Sequence, residues 1–322
     1  MDQTTHSGPD RRRWSVASRH DHAVVVGASM AGLLAARVLG DHFSRVTIVE
    51  RDQLPDAPGF RSGVPQSRHL HVLLGRGRAV LEQRFPGLIA ELLAAGAHSF
   101  SWPGDVLWLS PVGWGQRFRP GLQMLSCSRE LLEWHVRRRV TATGQVQILT
   151  QCEVEELVPS LDHAGVAGVR VRSRGTKDVA VAERDIAADL VIDASGRSSR
   201  TPRWLSALGY PAPEQTVVNS FLGYASRTYA LPMDGGRDWM ALFFQAQPPT
   251  HARAGALFPI EGGRWLVTLA GAGRDYPPTD EAGFLAFARS LRSPILYDAI
   301  AVAQPLSSIA GYQRTENQLR HY

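Results

Sequence analysis

Residues 23–50 read AVVVGASMAGLLAARVLGDHFSRVTIVE, and the fold turns on this stretch. Three branched apolar residues, Val24, Val25 and Val26, predict a buried strand. Gly27-Ala28-Ser29-Met30-Ala31-Gly32 follows, then an Ala/Leu-rich run of helical periodicity, then a second strand over residues 46–49 that ends on Glu50. Strand, glycine turn, helix, strand and an acid 18 residues beyond Gly32 is the layout of a dinucleotide-binding βαβ unit. Gly27 lets the chain turn sharply out of the strand, and Gly32 lets the helix lie close to the sheet. The helix N-terminus turns free N–H groups and the positive end of its dipole toward a pyrophosphate. Glu50 is placed to accept hydrogen bonds from an adenosine ribose, which favours a free ribose over a 2′-phosphate. Ser29 stands where the fingerprint has its second glycine; its side chain crowds the pyrophosphate, and its hydroxyl can donate to it.

Upstream, Arg11-Arg12-Arg13 ahead of an apolar run has the outline of a twin-arginine leader. Arg37 interrupts that run, no small-residue cleavage site follows, and a strand ending in an acid comes next, so a strand is the better reading. The same interruption argues against a membrane span, which needs about 18 uncharged apolar residues. At 322 residues the chain can bury a sizeable core in two joined lobes. Two cysteines, Cys127 and Cys152, are too few for a disulfide framework or a thiolate metal site, which fits a reducing cytoplasm. The net charge of +5 is spread over 35 basic residues without a helix-turn-helix, zinc or RNA-binding signature, so no nucleic-acid partner is expected.

Residues 1–20 are polar and read as a disordered tail. His69 and His71 share a face if residues 67–74 are extended, but no third ligand accompanies them and no metal site is expected. Residues 79–95 predict a helix interrupted near Pro86-Gly87 and closed by Gly96. Over residues 100–124, Trp102, Trp108, Trp114 and Phe118 alternate with Gly and Pro, which suggests strands; such aromatics serve either as sheet core or as the lining of an apolar pocket. Ser128 caps a predicted helix over 129–141 with Leu131, Leu132, His135, Val136 and Val140 as its inner stripe. Residues 147–150 and 153–158 read as strands, and residues 166–172 and 179–182 as a hairpin around Arg174-Gly175. Residues 188–200, ADLVIDASGRSSR, read as a buried strand ending in a small-residue loop. Further strands fall at 221–231, 239–245, 256–260 and 265–270, the last two joined through Glu261-Gly262-Gly263. Thr279 caps a final helix over 280–291.

Taken together, these features resemble the flavin-dependent monooxygenases of the p-hydroxybenzoate hydroxylase type, nearest to the bacterial branch that epoxidises or hydroxylates polyketide and terpenoid substrates. GASMAG with Glu50 is similar to that family's pyrophosphate and ribose site. Residues 64–71, VPQSRHLH, look like its segment beside the isoalloxazine ring, and Arg129 like its FAD-contacting arginine. Residues 189–200 look like its second fingerprint, with Ser195 where many members carry Asp. The resemblance implies an α/β fold, an FAD-binding Rossmann-like βαβ unit of the glutathione-reductase type with an interleaved antiparallel-sheet substrate domain. It assigns residues 21–98 and 125–200 to FAD binding and residues 99–124 and 201–322 to the substrate sheet. The implied cofactor residues are Gly27, Ser29, Met30, Ala31, Gly32, Glu50, Arg51, Arg68, Arg129, Val154, Asp193, Ser195 and Gly196. Arg68 and His71 are the candidates for a flavin-side catalytic role.

The implied activity is NAD(P)H- and O₂-dependent oxygen transfer from FAD to an apolar small molecule. The alternatives are alkene reduction of the geranylgeranyl reductase type and an inactive fragment of such an enzyme; halogenation is disfavoured because no Trp-x-Trp-x-Ile-Pro run occurs. Residues 309–314, IAGYQR, look like the lead-in to the family's Gly-Asp motif, which does not follow. That implies a chain cut before its last FAD-binding segment, with poor FAD affinity and little turnover.

Overall fold

The computed structural model describes residues 20–119, 121–174, 182–232 and 236–321. The first strand, β1 (His20–Val26), leads through the glycine turn into the helix α1 (Met30–Leu39) and the parallel strand β2 (Phe43–Val49). Parallel strands Leu190–Asp193 and Val146–Leu149 flank this pair, so β1 lies inside a four-stranded parallel sheet. Its alternation shows why the valine run forms a central strand. Ala23 and Val25 face a core built with Leu33 and Ala36 of α1, whereas Val24 and Val26 face a second core. Both faces are covered, so the strand has no polar side, and each fully buried valine contributes roughly 1.5–3 kcal/mol.

The first core is closed by the helix Arg129–Thr141. Ser128 caps it as expected, its hydroxyl accepting from Leu131 N–H at 3.1 Å, and all five residues of the expected stripe are buried. The second core is closed by an antiparallel sheet of Cys152–Pro159, Val166–Ser173 and Glu183–Ala187, with Trp204 beside it. Its hairpin partner runs later than the sequence suggested. Ile186 sets the register, pairing with Val169 and packing on that core, and the return strand is Glu183–Ala187. Residues 175–181, which hold most of the expected partner, lie outside the described residues, as do Arg11–Arg13. The strand Leu190–Asp193 is half-buried rather than buried, because it ends the parallel sheet.

A larger sheet of seven strands occupies the other part of the chain. Its order is Ala310–Tyr312, Gly223–Ala230, Arg264–Gly271, Arg253–Ile260, Ala241–Phe244, Val106–Ser110, Gly113–Trp114. The turn at Glu261-Gly262-Gly263 makes the expected hairpin, both glycines having positive φ. One face of this sheet is sealed by helices Glu281–Arg289 and Ile295–Ala301, which bury Phe284, Phe287, Leu296 and Ile300 against Leu257, Trp265 and Leu269. The N-cap of the first is Asp280, whose carboxylate accepts from Gly283 N–H at 2.8 Å, not Thr279 one residue earlier. Residues 79–95 form two helices, Gly75–Arg84 and Leu88–Ala94, parted at Pro86-Gly87 as expected. No helix among the described residues is long and apolar enough to cross a membrane.

Candidate functional site: a glycine cleft and a sheet cavity

The carboxyl ends of the parallel strands open into a cleft of about 180 Å³. Gly27, Ser29, Glu50, Arg51, Val154 and Ser195 line it, so the structure brings together six of the residues the sequence singled out. Ligands of open α/β sheets bind at this end. The two glycines act through the backbone. Gly27 has φ of +100°, and a Cβ there would sit 2.8 Å from the Ala194 carbonyl oxygen. A Cβ on Gly32 would sit 1.8 Å from the Gly27 carbonyl oxygen, so helix and turn meet only because that atom is missing. No side chain caps the N-terminus of α1, whose first turn holds Met30 and Ala31 and carries no acid. Its N–H groups remain for an anion.

Beside the turn lies a buried ionic network that the sequence did not reveal. Glu50 Oε2 accepts from Ala28 N–H at 2.8 Å and from Arg61 at 3.2 Å; Oε1 accepts from Asp52 N–H at 2.9 Å. The acid expected to bind a ribose therefore also fastens the glycine turn. The Arg61 guanidinium is 7% exposed and donates to Glu133 at 2.8 and 3.0 Å, to Asp52 at 3.3 Å and to the Ala28 carbonyl at 3.1 Å. Burial opposes its charge, but Glu133, Glu50 and Asp52 outweigh that and raise its pKa. The other Glu133 oxygen accepts from Ser29 Oγ at 3.0 Å and from Arg129 at 3.2 Å, and Arg129 donates to Ser29 Oγ at 2.9 Å. In this arrangement the Ser29 hydroxyl spends its proton on Glu133, not on a phosphate. Arg129 lines a separate small pocket with Ser67 and Trp134, and its Nε is buried with no hydrogen-bond partner among the described residues.

Asp193 is bonded within its own loop. Its carboxylate accepts from Ser195 N–H at 2.8 Å and from the hydroxyls of Ser195, Ser199 and Thr201. Burial pushes its pKa up, the hydroxyl donors pull it down, and the donors prevail. Asp193 thus ties up its own loop. Gly196 is exposed there with φ of +79°.

Of the segment 64–71, Val64 lines the glycine cleft, and residues 66–71 face other cavities. Its first half is a 3-10 turn, Pro65–Arg68, and Arg68 is exposed with its guanidinium 3.7 Å above the Phe60 ring, lining a cavity of about 650 Å³. His71 lines a separate cavity of about 350 Å³ with His69, so the two residues expected at the flavin side do not meet. The shared face expected for His69 and His71 is present. His69 Nδ1 bonds Ser226 Oγ at 2.7 Å, Ser226 bonds Thr268 at 2.6 Å, and Thr268 accepts from Leu70 N–H at 3.1 Å. Burial, with His71 and Arg68 adding like charge, pushes His69 down to about 4, so its imidazole is neutral at pH 7. Of the aromatics at 102–118, Trp102 packs on Trp108 and Phe243, while Trp114 and Phe118 are exposed; none lines this cavity.

The parallel sheet with its glycine cleft, joined to a seven-stranded sheet, defines the fold of the FAD-dependent monooxygenases and halogenases. A probable FAD-dependent monooxygenase of Pseudomonas aeruginosa, PqsL, superimposes with a TM-score of 0.64 at 17% identity, over 90% of this chain and 73% of that one. The flavin-dependent brominase Bmp2 does so with a TM-score of 0.62 at 16% identity, over 90% of this chain and 67% of that one. No family model matches the sequence. In sequence the chain is 37% identical to Protein Rv3254 of Mycobacterium tuberculosis over 311 residues, which is 95% of this chain and 65% of that protein. It is 29% identical to kynurenine 3-monooxygenase of Salinispora tropica over 222 residues, 67% of this chain and 44% of the enzyme. The chain thus spans just under two thirds of its mycobacterial relative.

Proposed function

We propose that this chain belongs to an FAD- and NAD(P)H-dependent monooxygenase, of the p-hydroxybenzoate hydroxylase type, acting on an apolar small molecule. The observation that carries this reading is the cleft at Gly27 in a fold shared with PqsL. The residues fit the cofactor: the uncapped first turn of α1, beside the glycine cleft, offers backbone donors suited to a diphosphate. Glu50, Arg51 and Val154 would border the adenosine, and residues 21–98 and 125–200 would form the FAD-binding part. Residues 99–124 and 201–322 would hold the substrate against the seven-stranded sheet. Bound FAD supplies the redox chemistry, electron uptake from NAD(P)H and use of O₂. The protein's share is to fasten the glycine turn through Glu50 and Arg61, to hold Arg129 through Glu133, and to offer a largely apolar pocket beside the neutral His69. The test is spectral and kinetic. A flavin spectrum with NAD(P)H-dependent oxygen uptake supports the reading; flavin-dependent alkene reduction without oxygen uptake replaces it with a reductase, and no flavin affinity removes it.

A further inference from the structure

The 350 Å³ cavity lies on the face of the seven-stranded sheet opposite its two helices, and the strand register gives it a definite shape. Phe243, Ala256, Thr268 and Ser226 form one row across four strands. Ala254, Ala270, Tyr224 and Tyr312 form the next. Ala256, Ala254 and Ala270 lie side by side as a low floor, with Phe243 at one side and Tyr224 and Tyr312 at the other, so the floor is flat and two of its sides are walled by rings. His69 reaches this trough from the loop before Val72–Leu73, its ring 5.9 Å from Tyr224 and 5.6 Å from Tyr312. The ring is fixed at Nδ1 by the Ser226–Thr268–Leu70 chain, while Nε2 has no hydrogen-bond partner among the described residues and is not sealed. The hydroxyl chain can run in either direction. When Ser226 donates to Nδ1, Nε2 carries the proton and donates; when Nδ1 donates to Ser226, Nε2 accepts.

We propose that His69 Nε2 is the hydrogen-bond anchor for a flat aromatic ligand carrying one hydroxyl or N–H group, bound on the trough between Phe243 and Tyr224. This deepens the reading of the cavity as the substrate site and rests on it. The anchor discriminates because a buried imidazole edge left without a partner is costly, whereas the trough grips any flat apolar ring.

The experiment is fluorescence titration of the full chain with 2-naphthol and with its isostere 2-methylnaphthalene. The wild-type protein binds 2-naphthol about tenfold more tightly, the discrimination of one hydrogen bond. His69→Phe, which keeps a ring between the two tyrosines, binds both compounds equally. His69→Gln retains part of the preference, and Ser226→Ala, which frees the imidazole, loses part of it; these two carry the test if His69→Phe does not fold. A preference that survives all three variants, or that vanishes instead in Tyr224→Phe or Tyr312→Phe, overturns the proposal, as does a wild-type protein that binds neither compound. Quenching of FAD fluorescence in the same preparations is read separately. Discrimination between the naphthalenes without FAD binding sinks the flavin reading alone; FAD binding without discrimination sinks the anchor alone.

Discussion

In the cleft beside Gly27 the shape comes from backbone, and neighbouring residues set it: a positive-φ glycine, a second glycine five residues on, and the end of β2. In the cavity beside His69 the shape comes from side chains of five strands and a loop, drawn from residues 66 to 312. The first has no slack, since the Gly32 helix contact is already closer than any side chain permits. The second keeps open space over small residues and can be refilled. The difference explains why one is written in a short motif and the other is not. A turn that must approach a phosphate is specified locally, whereas a ligand pocket needs only apolar residues on the right side of each strand.

The largest contrast should come from adding bulk at each place. Gly32→Leu drives a side chain into the Gly27 carbonyl, where only backbone could yield, and should cost more than about 4 kcal/mol with loss of flavin binding. Ala256→Leu grows into the cavity and should cost at most about 2 kcal/mol while blocking ligand. Urea unfolding of both variants checks this; equal losses would erase the distinction.

Next in size is the ionic network behind the cleft. Glu133→Ala leaves the buried Arg61 without its doubly bonded partner and should cost about 3–5 kcal/mol. A loss below about 1 kcal/mol in denaturant titration would mean that Arg61 is held by Glu50 and Asp52 alone.

The cavity has its own signature, in pH. His69 is neutral down to about 4, whereas an unfolded histidine takes its proton near 6.5. Between those values the unfolded state binds more protons, so stability falls as pH drops from 6.5 to 4. His69→Phe should remove up to about 3 kcal/mol of that fall. Parallel pH–stability curves for the variant and the wild type would place the imidazole in a solvated setting.

The smallest effect sharpens a point where sequence and structure part. With Ser29 in a glycine position, Ser29→Gly looks nearly neutral from the motif. In the structure its hydroxyl links Arg129 to Glu133, and the change should cost about 1 kcal/mol in thermal or chemical unfolding. No change would return Ser29 to a bystander of the motif.

What was legible follows the range of the interactions. The βαβ unit, the Ser128 cap and the Glu261-Gly262-Gly263 hairpin rest on contacts within a few residues, and all were readable. Arg61 and Glu133 were not, because their pairing joins residues 72 apart and no local pattern marks it. One sign was available: Glu133 is an acid among the buried positions of helix Arg129–Thr141, and a buried acid needs a cation. The helix Ile295–Ala301 escaped notice because it is seven residues long and is held by packing on the sheet rather than by capping. His69 could be named as polar, but the hydroxyl chain through Ser226 and Thr268 lies about 160 to 200 residues away in sequence. The bonds of Asp193 to Ser195, Ser199 and Thr201 were not read, because a carboxylate serving its own loop looks, in sequence, like one serving a ligand.

The central claim is that the cleft beside Gly27 holds FAD. Titration of the 322-residue chain with FAD, followed by flavin fluorescence, measures it directly. The account predicts saturable binding of one FAD per chain, lost in Gly32→Leu and weakened about 10- to 100-fold in Glu50→Ala, the range for a hydrogen bond to a charged group. Absence of flavin binding in the wild-type chain at any concentration, or equal binding by Gly32→Leu, would contradict it.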